Sequence, residues 1–233
     1  MISPPLSPTR SRQGLTLTEV LISIVIITFL GVLLFPVMRG AYESSRQAAC
    51  VSQLRQISPI FHSYAAEHNG RVRFMRDGGG PMWYTELRNH ANLTEQAAKK
   101  TFGCPKMRWT DVGSWYCYGM RLGYLTTLIK DDPGFPITRD EDDNGFYGFR
   151  LASVKDPARF FLMSDSSTKT GKQSFRIADR KLYSGGGVHL RHGGRANVLF
   201  LDGHVESLDA KGLFALNFLQ VLDADLQPVN AVP

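Results

Sequence analysis

The chain has 233 residues, 43% of them hydrophobic and 21% charged, with a formal net charge of +6 at pH 7. This composition excludes intrinsic disorder, which needs low hydrophobicity and high net charge, and a single long apolar run excludes a polytopic membrane protein. The length suits one domain plus an appendage, and no Lys/Arg block points to a nucleic-acid partner.

Arg10 and Arg12 are the only charges in residues 1–14, and removing them lowers the net charge from +6 to +4. Residues 20–37 read VLISIVIITFLGVLLFPV, without a formal charge. As a helix that run covers about 27 Å, close to the hydrocarbon thickness of a bilayer. Ser23, Thr28 and Gly31 are tolerable inside a membrane helix. A buried core helix is the plain alternative, but the run is long for one. Arg10 and Arg12 place the N-terminus in the cytoplasm; Arg39, beyond the run, weakens that bias without reversing it. The body is therefore expected outside the cytoplasm, behind a single-pass anchor. No small-x-small cut site follows the run, as a secretory signal peptide requires. Glu19 puts a carboxylate against an apolar helix, which calls for a cationic partner.

The stretch Gly14-Leu15-Thr16-Leu17-Thr18-Glu19 resembles the processing site of type IV prepilins and type II secretion pseudopilins. The resemblance implies that a prepilin peptidase cuts between Gly14 and Leu15 and that the new amine of Leu15 is methylated. Glu19 then becomes the fifth mature residue, and Pro36 matches the family's helix-kinking proline. Leu15 stands where the family usually has Phe. The physics suits the implied role. The Leu15 amine and Glu19 lie within about one helical turn. Paired between neighbouring subunits in low dielectric, they set register more than stability.

Residues 38–68 continue a helical pattern. Ala48, Ala49, Leu54, Ile57, Phe61 and Tyr64 recur at spacings near three and four, and Arg46, Gln53, Arg55 and Glu67 fill other faces. Asn69-Gly70 reads as the stop. From Leu15 to His68 the helix would run about 80 Å. Pro59 predicts a break or bend near Ser58-Pro59, with two separate helices as the alternative.

Beyond Gly70 the pattern is loop-rich. Gly78-Gly79-Gly80-Pro81 and Gly185-Gly186-Gly187 read as loops, and residues 83–98 hold one short helix around Glu86, Leu87 and Leu93. Extended segments are expected at 102–105 and 115–120. Residues 131–145 form an acidic turn region, and Phe160 to Asp165 a buried strand ending in a polar loop. Ala196 to Leu201 reads as a strand, Asp202-Gly203 as a two-residue turn, and His204 to Leu208 as the returning strand.

The span from His192 through nine residues to Asp202-Gly203 resembles the H-X9-DG signature of a prepilin-like subfamily with a C-terminal β body. Cys50 with Leu54 to Ile57, Cys104-Pro105, Tyr118-Gly119-Met120 and Ser164-Asp165 extend the resemblance in short islands. To our reading the signature implies no established catalytic activity. It favours a Cys50–Cys104 disulfide. Cys104–Cys117 is the sequence-local pairing, and three buried thiols are the plain alternative.

Two clusters carry metal-ligating residue types. His189, His192, Asp202 and His204 are near in sequence, but an extended chain holds His192 and Asp202 about 33 Å apart unless Gly193-Gly194 turns it back. The structural alternative puts Asp202 in its turn and the histidines on the surface or at loop caps. Asp140-x-Asp142-x-Asn144-Gly145 opens like an EF-hand loop, with Asp131, Asp132, Glu141 and Asp143 nearby; Leu151 at the twelfth position rejects a true EF-hand. Resemblance to major pseudopilins, which can hold calcium in an acidic loop, makes calcium the one cofactor to consider, against a solvated acidic turn. Ser184 and Ser207 lack a nucleophile-elbow pattern, and no Walker or dinucleotide motif occurs.

The expected fold is α+β and pilin-like. A leader occupies residues 1–14, a transmembrane helix 15–39, an extracytoplasmic spine helix 40–69, and a mainly antiparallel β body 70–233 with its signature at 192–203. The expected function is a non-enzymatic pseudopilin-like subunit of a type II secretion or type IV pilus-like fibre. It would sit in the cytoplasmic membrane with its body in the periplasm. Its partners would be prepilin peptidase, which also methylates, other pilin-like subunits and an assembly platform. The alternative is a membrane-tethered periplasmic metal-binding module or hydrolase using His189, His192 and His204.

Overall fold

The computed structural model describes residues 16–76, 83–107, 113, 116–121, 138–140, 146–177, 182 and 186–232. By its internal contacts the chain divides into two units, Met1–Ser44 and Ser45–Pro233. Gly14, Leu15, Asp142 and Asn144 lie outside the described residues.

The first helix, α1, spans Leu17–Glu67. Its start is closed reciprocally. The Glu19 carboxylate accepts from the Thr16 backbone N–H and hydroxyl, both at 2.8 Å, while the Thr16 hydroxyl accepts from the Glu19 N–H at 3.4 Å. That is a capping box, which satisfies donors the helix end leaves orphaned. The Ser23 hydroxyl donates to the Glu19 carbonyl and that of Thr28 to the Ile24 carbonyl, so neither needs water. Large apolar side chains from Leu17 to Phe35 are exposed on every face, Ile22 at 58%, Phe29 at 65% and Val32 at 73%. A helix apolar all round must be covered by protein or lipid, and this one is long and apolar enough to cross a membrane.

The later turns of α1 differ. Cys50, Leu54, Ile57, Phe61, Tyr64 and Ala65 are buried on one stripe, each large apolar one worth about 1.5–3 kcal/mol of burial. Ala48 and Ala49, expected on that stripe, are exposed; it begins at Cys50. The expected break at Ser58-Pro59 does not occur, and α1 runs unbroken through Pro36 and Pro59. Pro59 is exposed, so the carbonyl it leaves without an amide partner faces solvent rather than the core. Asn69 and Gly70 then take positive φ and the Gly70 N–H donates to the Ala65 carbonyl at 2.7 Å, ending the helix.

The body follows. Strand β1 (Arg71–Arg76) leads to α2 (Trp83–His90) and α3 (Glu95–Phe102). Residues 83–98, expected to hold one short helix, hold α2 and the start of α3. The Thr94 side chain accepts from the Ala97 N–H as the cap of α3, which makes the second start. The remaining elements are β2 (Gly119–Arg121), β3 (Thr138–Asp140), β4 (Phe146–Arg150), β5 (Phe161–Ser164), β6 (Ser166–Ser167), β7 (Arg176–Ile177), β8 (Gly187–Val188), β9 (Ala196–Phe200), β10 (Val205–Leu208), α4 (Ala210–Phe214), β11 (Gln220–Leu222) and β12 (Pro228–Asn230). Among the described residues the main sheet runs β10-β9-β5-β2-β7, and a smaller one runs β1-β4-β3. Every named strand pair is antiparallel except β2 with β7. The fold is thus α+β, a long N-terminal helix with a mainly antiparallel body.

The main sheet is buried on both faces. Leu199, Leu201, Met163 and Met120 share a core with Leu54, Ile57 and Phe61 of α1. Ala196, Val198, Phe200 and Ile177 share a second core with Leu213, Phe218 and Val221. Two covered faces explain why β9 reads as a continuous apolar run. The turn after β9 departs from expectation. Phe200 pairs with His204 through an N–H···O bond of 2.9 Å, so the loop is the three residues 201–203, with Gly203 at φ +94°. That is the three-residue hairpin loop with a left-handed last position.

Candidate functional site

Four side chains from distant segments meet in the body. Cys50 lies on α1, Cys104 just beyond α3, Asp165 between β5 and β6, and His192 in the turn before β9. All four are buried, and their ligating atoms lie within 4.8 Å of one another. The Cys50 thiol reaches Asp165 Oδ1 at 3.3 Å. The Cys104 sulfur is 3.6 Å from His192 Nε2, which is 3.4 Å from Asp165 Oδ2.

Local sequence aims each group inward. His192 opens a tight turn in which Gly193 and Gly194 both have positive φ, and the His192 N–H donates to the Arg195 carbonyl at 3.0 Å. Two glycines make that reversal inexpensive, and it returns the chain directly into β9. Asp165 is held on both sides. Its backbone N–H donates to the Asn197 carbonyl, and its Oδ2 accepts from the Asn197 N–H at 2.9 Å. Gln173 Oε1 accepts from the Cys104 N–H at 3.2 Å. The Tyr118 hydroxyl reaches Cys50 Sγ at 3.1 Å and Gln53 Oε1 at 2.9 Å.

The electrostatics follow from burial opposed by partners. Burial raises the Asp165 pKa, but the His192 hydrogen bond and the charges of Arg191 and His192 bring it down to about 2. Arg191 Nε lies 3.8 Å from Asp165 Oδ1, and its Nη2 donates to the Ser166 carbonyl. Burial lowers the His192 pKa, yet Asp165 and Cys104 raise it to about 9. Burial raises the Cys104 pKa, and Cys50, His192 and Arg191 bring it to about 6. Cys50, desolvated and facing Cys104 and Asp165, is held well above the usual thiol value. The site therefore offers sulfur, nitrogen and oxygen donors beside one buried guanidinium.

The histidines of the alternative reading do not converge. Among the described residues, only His192 of the three joins a ligand group. His189 is buried beside the cluster, its backbone N–H donating to the Asp165 carbonyl at 3.0 Å, but its ring does not join the ligand group; desolvation first, and then the Arg191 charge, lower its pKa to about 4. His204 is exposed, with Nδ1 at 2.5 Å from Asp202 Oδ1 and its ring stacked on Phe200 at 4.3 Å. Asp202 also accepts from the His204 N–H at 3.1 Å. Asp202 thus organises its own loop, because β9 separates it from His192.

The two ends of the H-X9-DG span both approach α1. His192 meets Cys50, while a Cβ on Gly203 would come 2.7 Å from Ser58 Oγ. Cys50 and Ser58 are about 12 Å apart along the helix. The nine-residue spacing therefore carries one strand along two turns of helix.

Cys50 and Cys104, which the resemblance pairs, are brought together as thiols rather than as a disulfide, and Cys117 is buried and in no disulfide either. Asp140 ends β3, whose side chains lie outside the described residues, as does the rest of the acidic loop. Asp165 was not expected as a ligand. The signal that could have found it is its place in Ser164-Asp165, one of the islands of resemblance, as Cys50, Cys104 and His192 are in theirs. No family model, characterised protein or solved structure matches this chain.

Proposed function

We propose that the protein is a pilin-like structural subunit, anchored by the first half of α1 and assembled through it. The observation that carries this reading is the division of labour along one helix. Residues Leu17 to Phe35 expose apolar side chains on every face, and Cys50 to Ala65 bury one stripe in a folded body. The capping box at Thr16 and Glu19 adds to it. The motif from Gly14 to Glu19 supplies what a plain anchor does not need: a cleavage position, an amine at Leu15 and an acid one turn away. Pro36 lies inside the same helix. Prepilin peptidase trims residues 1–14 and methylates Leu15, and fellow subunits and an assembly platform build the fibre. The body stands in the periplasm or on the fibre surface, and no catalysis is assigned to it.

Two measurements test the proposal. The N-terminal mass of protein from its native membrane is expected to correspond to N-methylated Leu15. A chain still carrying Arg10 and Arg12 beside an active peptidase sinks the reading. Glu19→Leu is expected to block assembly while the body's melting temperature is unchanged. Unimpaired assembly would remove Glu19 from the mechanism.

A further inference from the structure

We propose that Cys50, Cys104, Asp165 and His192 form a closed four-ligand site for a zinc ion that fastens α1 to the main sheet. The proposal stands apart from fibre assembly and rests on the body alone.

The geometry carries it. Zinc in a tetrahedral site binds sulfur at about 2.3 Å and histidine nitrogen or carboxylate oxygen at about 2.0–2.2 Å, which sets ligand–ligand edges of about 3.3–3.8 Å. The nearest approaches here are 3.3 Å from Cys50 Sγ to Asp165 Oδ1, 3.6 Å from Cys104 Sγ to His192 Nε2 and 3.4 Å from His192 Nε2 to the other Asp165 oxygen, Oδ2. The remaining separations stay within 4.8 Å. Four donors from four segments thus surround one small volume, which need only contract slightly to close on an ion.

The charge balances as well. Two thiolates, one carboxylate and a dication sum to one negative charge, and the buried Arg191 guanidinium beside Asp165 cancels it. A buried cluster is tolerated when its charges close in this way. Tyr118 on Cys50 and the Asn197 N–H on Asp165 already orient two of the ligands, as groups outside a metal's own ligands do.

The donor count decides the role. With all four ligands from the protein and all buried, no position is left for substrate or water, so the ion is structural. Its binding free energy becomes folding free energy. It would tie Cys50 of α1 to the segments holding Cys104, Asp165 and His192. On this view the histidine of the H-X9-DG span is a metal ligand, and its Asp and Gly form the loop that seats the far end of β9.

The competing state is a Cys50–Cys104 disulfide, which removes both thiolate ligands. The experiment uses full-length protein purified in detergent with zinc in the buffer, then desalted. Zinc is measured by plasma mass spectrometry and free thiols are counted after chelation and unfolding. The expected result is one zinc per chain and all three cysteines free. Cobalt in place of zinc is expected to give tetrahedral ligand-field absorption with a thiolate-to-cobalt charge-transfer band. His192→Ala should abolish retention, whereas His204→Ala and Cys117→Ser should keep it. Should His192→Ala fail to fold, the cobalt spectrum of the wild-type chain decides alone. Metal-free protein with three free thiols overturns the proposal. One free thiol, marking a disulfide, overturns it equally.

Discussion

Gly203 is the position where the signature loop meets α1, and Gly203→Ala tests that contact quantitatively. The residue sits at φ +94°, where an L-side chain is strained by about 1–2 kcal/mol. The new Cβ would also lie 2.7 Å from Ser58 Oγ and 3.6 Å from Ser58 Cβ. The first distance forces a shift and the second is ordinary contact. Crowding of this kind in a packed region costs about 1–3 kcal/mol. Loss of glycine's freedom in the unfolded chain returns about 0.4–1 kcal/mol. The net expectation is a destabilisation of about 1–5 kcal/mol. For a body of this size each kcal/mol lowers the melting temperature by about 2–4 °C. The assay is thermal unfolding of the full chain in detergent, followed by near-ultraviolet circular dichroism. Ser58→Ala removes only the crowding oxygen, so Ser58→Ala with Gly203→Ala should recover the crowding part and leave the strain. A coupling of at least about 0.5 kcal/mol between the two is expected. A single variant that melts with the wild type, or a double variant no better than the sum of its parts, would refute the docking of this loop on α1.

Other perturbations follow from the same packing. Phe61→Ala empties a fully buried position on the α1 stripe and should cost about 3–5 kcal/mol, read as a lowered urea midpoint; Phe29→Ala, on the exposed apolar half, should leave that midpoint in place. Arg191→Met leaves the Asp165 carboxylate buried without its guanidinium, and breaking such a pair costs about 3–5 kcal/mol. A wild-type urea midpoint for Arg191→Met would show that the ion pair is not what stabilises Asp165.

The sequence by itself determined what short-range physics governs. An uncharged run of membrane length and a stripe of Leu54, Ile57, Phe61 and Tyr64 are periodic or adjacent signals. Each appears in the structure where the sequence puts it. The β9–β10 hairpin was equally legible, since an apolar run, a Gly-containing turn and a returning strand are neighbours in sequence. Smaller local choices were not. Pro59 does not break α1, because its exposed face leaves the freed carbonyl to solvent. The hairpin takes a three-residue loop, because only Gly203 has positive φ in it. The candidate site was decided by tertiary structure alone. Cys50, Cys104, Asp165 and His192 come from a helix, a loop, a strand junction and a glycine turn. No periodicity links them, and only the packing of α1 against the main sheet brings their donors within 4.8 Å of one another.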